Sequence, residues 1–366
     1  MMMFRSNKCI SIKSSVMKTL RISILACLQL ISVWSLGQNV SKEQLIRDVE
    51  TFKAAAFKAT EVFLNPKGNL QTRLLAMQNY PFIYDPQQIV KAKAILLNDK
   101  ENPALRAAAL SKLVAEISRD EALSNSVLKW IQDPKTPKAL RDETLNTISA
   151  LTFSDFAMFR KRQELMTALR TVATDPELPF RQFALGFLMD HGDSFAQNLL
   201  IEQLNKNKTD LLPTVESLRL LALYPKGDYL PAVYKIFQNP PNQESKIEAI
   251  ILCGNYAPAK KSLMDLLKDK KQNADLRQVV LATINANYPD EFAGQVQNMI
   301  VDQTEPENLR VTAIVMETLR RQSNIERSKR KTPDTFDRNV EKLKSNPSEA
   351  IRRASGSYLQ NVKPKL

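Results

Sequence analysis

One short pattern recurs along the chain, and it constrains the fold more than any other feature of the sequence. The stretch LLNDKENPALRAAALSKL begins at Leu96, and variants of it begin at Trp130, Leu266 and Ile300. Each copy has an apolar segment, an acid or amide, a loop that often contains proline, a base and a second apolar segment. Apolar residues in both segments recur every three or four positions, which is the spacing of an amphipathic helix. The pattern therefore predicts a repeated pair of helices, called here helix A and helix B.

Aligning the copies on their base gives nine units. The bases are Arg73, Arg106, Arg141, Arg181, Arg219, Lys246, Arg277, Arg310 and Arg352. An acid or amide precedes most of them by six to nine residues: Asn65, Asp99, Asp133, Asp175, Asp210, Asn239, Asp269, Asp302 and Asn346. The bases are 27 to 42 residues apart, an interval typical of solenoid repeats built from two helices.

These units resemble the HEAT repeat family from about residue 41 to residue 360. The resemblance implies an all-α fold, an α-solenoid (superhelix) of about nine antiparallel two-helix repeats. It also implies that acids in the turns and bases at the starts of the B helices bond along the stack as an intramolecular ladder. Asn at positions 65, 239 and 346 and Lys at 246 depart from the family pattern, and a neutral amide cannot form an ion pair. The expected ladder residues are Asp99, Arg106, Asp133, Arg141, Asp175, Arg181, Asp269, Arg277, Asp302 and Arg310.

The first 37 residues differ in composition from the rest of the chain. They hold five basic residues, no acid and an apolar run from Ile22 to Leu36, which is shorter than the roughly 20 residues of a membrane-spanning helix. This composition predicts a secretory signal peptide at 1–37, with Met1 or Met17 as the start and Gln38 as the mature N-terminus. Residues 38–366 are then expected to form a single solenoid with no transmembrane segment in the mature chain. We expect this chain to be exported, with the periplasm favoured over the extracellular space.

The residue inventory excludes several classes of enzyme. The chain has one histidine, and Cys253 is the one cysteine outside the predicted leader; paired-His metal sites, HExxH motifs and CxxC motifs therefore cannot be built. None of the spacings between its eight glycines matches GxGxxG, GxxxxGK[ST] or GxSxG. We therefore predict a chain that is not an enzyme, with no catalytic residue, no metal and no cofactor.

A basic run is the one local anomaly in the repeat. RRQSNIERSKRK, residues 320 to 331, has six bases and one acid and forms part of an insertion at about 320–335. It could contact an acidic partner or an anionic surface, and a solvated charge run after a helix is the alternative. The possible partner-binding residues are Arg320, Arg321, Arg327, Lys329, Arg330 and Lys331.

Three functions remain open. The favoured one is a non-catalytic protein-binding scaffold or adaptor of the cell envelope, which uses a concave face lined by B helices to bind a protein partner. The alternatives are an enzyme on a HEAT-like fold, similar to chromophore lyases or to DNA glycosylases that act on alkylated bases, and a binder of anionic glycan or lipid. Export argues against nucleic acid as a partner. Candidates on the concave face are Lys112, Asp142, Asn146, Gln182 and Gln278.

Overall fold

The computed structural model describes residues 41–153, 161–224, 228–323 and 333–362. The predicted signal peptide lies outside these residues. The described residues form nineteen α-helices and no β-strand, which confirms the predicted all-α class. The chain divides into two compact units, Met1–Phe180 and Arg181–Leu366. A single solenoid over 38–366 stays a prediction for the chain as a whole.

The first unit contains helices α1 to α8 and the start of α9. Their bounds are α1 Lys42–Leu64, α2 Leu70–Ala76, α3 Pro86–Leu97, α4 Pro103–Lys112, α5 Val114–Ile117, α6 Glu121–Gln132, α7 Lys138–Phe153, α8 Arg162–Val172 and α9 Leu178–Asp190.

The second unit contains the rest of α9 and helices α10 to α19. Their bounds are α10 Ser194–Asn205, α11 Thr214–Leu223, α12 Leu230–Gln238, α13 Gln243–Leu252, α14 Lys260–Lys268, α15 Ala274–Asn287, α16 Ala293–Val301, α17 Glu307–Ser323, α18 Thr335–Lys342 and α19 Glu349–Val362. Short 3₁₀ turns lie at Cys253–Asn255, Ala257–Ala259 and Leu343–Ser345.

Within each unit, helices pack as stacked A/B pairs. Helix A contacts helix B of its own repeat, as in α3 with α4 and α14 with α15. Successive B helices also contact each other: α2, α4 and α7 form such a series in the first unit, and α11, α13, α15, α17 and α19 form one in the second. A helices contact A helices of the next repeat, as in α1 with α3 and α10 with α12. This is the two-layer arrangement of an α-solenoid, and it confirms the predicted repeat architecture within each unit.

Local sequence fixes where the helices begin. Asparagine or aspartate caps the start of many of them, as Asn102 does at α4 and Asn273 at α15, because its side chain accepts an N–H that the first turn leaves unbonded. The core between the layers is aliphatic, and side chains such as Leu105, Ile148 and Leu281 are essentially inaccessible to solvent. Burial of these residues from both helices of a pair and from its neighbours is what holds the stack together.

Candidate protein-binding surface

The turn between helices A and B is closed by an asparagine or aspartate in seven repeats. Its Oδ1 accepts the backbone N–H of the residue two positions later, over 2.9 to 3.0 Å. Amide and carboxylate oxygens both make this turn, which explains why the repeats use either residue. The seven residues are Asn65, Asn98, Asp133, Asp175, Asp269, Asp302 and Asn346.

The arginine that opens helix B has a second constant role. Its Nε donates to the carbonyl of the residue ten positions earlier, in the last turn of helix A, over 2.8 to 3.2 Å. A cation at this place satisfies a carbonyl that the helix end leaves unbonded. The pairs are Arg73 with Phe63, Arg106 with Leu96, Arg141 with Ile131, Arg277 with Leu267 and Arg310 with Ile300.

Carboxylate partners of these arginines vary from repeat to repeat. Arg106 binds Asp99 of its own turn at 2.8 Å, and Arg141 binds Asp175 in the turn of the following repeat. Arg277 also pairs with the following repeat, where the Glu305 carboxylate accepts hydrogen bonds from both terminal nitrogens of the guanidinium, at 2.6 and 2.8 Å. Sequence reasoning missed Glu305, because the repeat alignment selects the turn residue Asp302 and nothing in the pattern distinguishes this glutamate.

The other expected ladder residues have different contacts. Asp133 accepts from its own turn, and Asp269 accepts from Gln272 at 2.9 Å. Asp302 accepts from Lys270 of the preceding repeat at 2.6 Å, and this bond, with those from Thr304, holds the pKa of its carboxyl well below the usual range. Arg181 donates to the carbonyl of Leu211. Buried Arg310 keeps its carbonyl bond, but its Nη2 has no hydrogen-bond partner among the described residues.

Arg219 does not occupy the base position of its repeat. In α4, α15 and α17 the residue just before the helix accepts, through its carbonyl, the backbone N–H of the residue four positions later. That later residue is the base. In α11 the corresponding bond runs from Ser217 to Pro213, so Ser217 holds the position and Gln203 donates to its hydroxyl at 2.8 Å. Arg219 instead lies on the exposed side of α11 and pairs with Glu248 at 2.7 Å and Glu244 at 2.9 Å.

The B helices of the second unit carry exposed apolar side chains at an equivalent place. Five residues after the base position stand Ala222, Ile251, Ala282 and Val315, one on each of α11, α13, α15 and α17, and all four are exposed. Ile251 is 53% exposed and Val315 48%. We call these four residues the apolar row. Next to it lie Leu223 and Leu319, also more than half exposed. In the first unit the same place holds polar Ser111 on α4 and Asn146 on α7.

A row of acids lies nearer the starts of the B helices, on the four that carry the apolar row and on α19. Each B helix from α11 to α19 has one acid in its first turn, whereas α2, α4, α7 and α9 have none there. The helix dipole favours an acid in the first turn of any helix. The dipole therefore does not explain why α11 to α19 have this acid and the earlier B helices do not. The acidic row consists of Glu216, Glu244, Asp275, Glu307 and Glu349.

Polar side chains between the two rows bond to one another across neighbouring B helices. Arg219 on α11 binds Glu248 on α13, and Gln278 on α15 donates to the Thr312 hydroxyl on α17 at 2.6 Å. These groups are therefore largely satisfied within the protein. The apolar and acidic rows, rather than the polar groups between them, are what this face offers to a partner.

The candidates of the first unit form a smaller polar cluster. Lys112 lies on α4 and Glu143 on α7, and Asn146 donates to Glu143 at 3.3 Å. Burial lowers the pKa of Lys112 and raises the pKa of Glu143, and the attraction between the two charges opposes both shifts. Of the other candidates, Asp142 binds Lys138 at 3.1 Å and Gln182 is half-buried.

The described part of the basic run is engaged within the protein. Arg320 binds Glu317 at 2.7 Å and Asp290 at 2.8 Å. Arg321 binds Glu317 at 2.6 Å and Asp334 at 2.9 Å. Both side chains are mostly buried, so they stabilise the last repeats and do not offer free charge to a partner. Arg327, Lys329, Arg330 and Lys331 lie outside the described residues.

No group of histidine, cysteine, aspartate or glutamate side chains among the described residues is arranged to hold a metal ion. In the same residues, no helix is both long enough and apolar enough to cross a membrane. His191 follows α9, where its Nδ1 lies 2.8 Å from the Phe187 carbonyl and its ring stacks on Phe187. Cys253 is fully buried, and burial raises the pKa of its thiol to about 12.

No protein-family model matches this chain. No curated protein matches it either. Among solved structures, human deoxyhypusine hydroxylase in complex with glycerol aligns over 86% of this chain and 98% of its own, at 13% identity and a TM-score of 0.28. At that TM-score the alignment carries no argument about activity, and the fold assignment rests on the helices and contacts described above.

Proposed function

We propose that this chain is a non-catalytic scaffold or adaptor that binds a protein partner through the B-helix face of its second unit. The observation that carries the proposal is the apolar row. Ala222, Ile251, Ala282 and Val315 are exposed at the same place on four successive B helices. Scattered exposed apolar residues are ordinary on any surface, but a contiguous set rimmed by charge marks an interaction surface.

Chemistry at the candidate residues supports binding rather than catalysis. The one cysteine of the described residues is buried with a raised pKa, so little of it is present as the nucleophilic thiolate. The buried arginines of the base position donate to helix-end carbonyls and turn carboxylates, which uses them for structure. The composition of residues 1–37 supports an exported, periplasmic location as part of the same proposal.

Site-specific photo-crosslinking in the source cells tests the proposal. A photoreactive amino acid replaces Val315 in the apolar row or, as the matched control, Val90, which is 67% exposed on α3 of the first unit. We expect one discrete protein adduct from position 315 and none from position 90. Identical adducts from both positions, or none from 315, would refute a partner on this face. Cell fractionation and N-terminal sequencing of the same tagged chain test export and cleavage before Gln38.

A further inference from the structure

The B-helix face of the second unit has a geometry that selects the kind of partner. On α13 and α15 the acidic and apolar rows lie on one side of the helix: Glu244 precedes Ile251 by seven residues, and Asp275 precedes Ala282 by seven. Seven residues are about 20° short of two full turns and span about 10 Å. On α11 and α17 the acid precedes the apolar residue by six and by eight residues, so it lies about 120° and 80° away around the helix. The face therefore has an apolar track across four B helices and an anionic track that runs directly beside it on α13 and α15.

Spacing along the apolar row favours one backbone conformation in a bound chain. Packed helices lie about 8 to 10 Å apart, so the row offers one apolar contact per step of that length. A polyproline II helix rises about 3.1 Å per residue with three residues per turn, so it returns to the same face about every 9.3 Å. A β-strand places side chains on the same face about every 6.7 Å. This repeat is shorter than the spacing between packed helices, so its side chains would not align with successive residues of the apolar row.

Charge on the acidic row determines what flanks the apolar residues of the partner. Asp275 and Glu307 are exposed and form no ion pair among the described residues. One carboxylate oxygen of Glu216 is buried without a hydrogen-bond partner in the described part of the chain. A lysine or arginine on a chain lying along the apolar row extends far enough to approach the exposed carboxylates of Asp275 and Glu307 and would neutralise them.

From these two tracks we infer that the partner segment is an extended, polyproline II-like peptide with an apolar residue at every third position and a basic residue beside it. The inference rests on the proposed function and deepens it. Apolar side chains of the segment lie against Ala222, Ile251, Ala282 and Val315 in turn, while its bases face Asp275 and Glu307. The third side of the peptide remains in solvent.

Binding of synthetic peptides tests the inference directly. The probe is a fluorescein-labelled 18-residue peptide, (Pro-Leu-Lys)6, measured by fluorescence anisotropy against the purified protein. A peptide of the same composition with irregular leucine spacing tests the period, and (Pro-Leu-Glu)6 tests the charge. We expect the regular basic peptide to bind at least tenfold more tightly than either control, with an affinity that falls as salt increases. Equal binding of the regular and irregular peptides would overturn the inference.

Paired variants locate the binding site. Ile251→Ser with Val315→Ser removes apolar contacts at exposed positions, and Asp275→Lys with Glu307→Lys reverses charge on the acidic row. Each pair should weaken the regular peptide at least tenfold, whereas Val90→Ser in the first unit should leave the affinity unchanged. If both pairs bind like the unaltered protein, the peptide does not occupy this face. A specific crosslink from position 315 without peptide binding would leave the scaffold standing and refute the peptide class; the absence of both would refute both.

Discussion

Arg141 in one repeat and Asp175 in the turn of the next form an ion pair whose side chains are 1% and 3% exposed. The same guanidinium donates to the carbonyl of Ile131 at the end of its own helix A, and it stacks on Phe180 with 4.0 Å to the ring centroid. One side chain thereby connects both helices of its repeat with the following turn. Such a pair is expected to fix the register of the joint more than to add net stability over an apolar alternative.

Removing the charge of Asp175 should destabilise the protein strongly. Asp175→Asn keeps an oxygen for the turn but leaves buried Arg141 with only the longer, 3.7 Å contact to the half-exposed carboxylate of Glu177, so we expect the free energy of unfolding to fall by about 3 kcal/mol. Asp133→Asn is the matched control, because Asp133 makes the same turn without an ion pair in the described structure, and it should change stability by less than about 0.5 kcal/mol. Urea unfolding measures both. Equal effects would contradict a structural role for the charge.

A carboxylate at position 346 should stabilise the last joint. Asn346 and Asp175 both stand six residues before the base of their repeat, and Arg310 of the preceding repeat has a buried Nη2 without a hydrogen-bond partner in the described part of the chain. Asn346→Asp should supply that partner and raise the free energy of unfolding by about 1 to 2 kcal/mol. Asn65→Asp makes the same change in the first repeat, where no arginine at the base position of an earlier repeat exists among the described residues, and should have no effect. A thermal melt in which both variants behave alike would refute the pairing.

Glu317 should make stability depend on acidic pH. Burial alone would raise the pKa of this carboxyl, but hydrogen bonds from Arg320, Arg321 and Gln297 outweigh it and lower the pKa below the usual 4.5. Because the pKa of Glu317 is lower in the folded state, the stabilisation by its ionised carboxylate is complete above the unfolded-state pKa. This stabilisation is lost as the pH falls through the folded-state pKa. Glu317→Gln should therefore cost about 3 kcal/mol at pH 7, and the difference should shrink below about pH 4.

The control for this pH dependence is Glu50→Gln, at an exposed position on α1. It should leave stability unchanged at every pH. Unfolding midpoints recorded from pH 7 to pH 3 for the unaltered chain and the two variants separate the outcomes. A difference between Glu317→Gln and the unaltered chain that stays constant down to pH 3 would contradict the pKa direction.

The thiol of Cys253 should report on unfolding. Because the side chain is fully buried and its pKa is raised to about 12, a thiol reagent at pH 8 should label the native protein only as fast as the second unit opens. In denaturant the same thiol should react at once, with an ordinary pKa of about 8.5. Rapid stoichiometric labelling of the native protein would contradict the burial. Reaction rates followed by absorbance provide the measurement.

Local pattern was enough to predict the repeats but not the role of every residue within them. Asp99 and Asn98 are adjacent, and only the structure shows that Asn98 closes the turn while Asp99 binds Arg106. Alignment on the nearest base selected Arg219, although Ser217 occupies the base position. Both cases have one cause: a shift of one or two residues leaves the apolar spacing of a helix almost unchanged, but it moves a side chain to another face.

By itself the sequence determined the all-α class, the nine helix pairs and most of their turns, because helical periodicity, capping residues and Asx turns depend on neighbours within about ten residues. Tertiary structure alone decided which charges meet and which apolar side chains stay exposed. Arg277 pairs with Glu305 rather than with Asp302, and Arg320 and Arg321 form ion pairs within the last repeats. Such contacts form between separate helices, and their distances are set by how the repeats stack rather than by spacing along the chain.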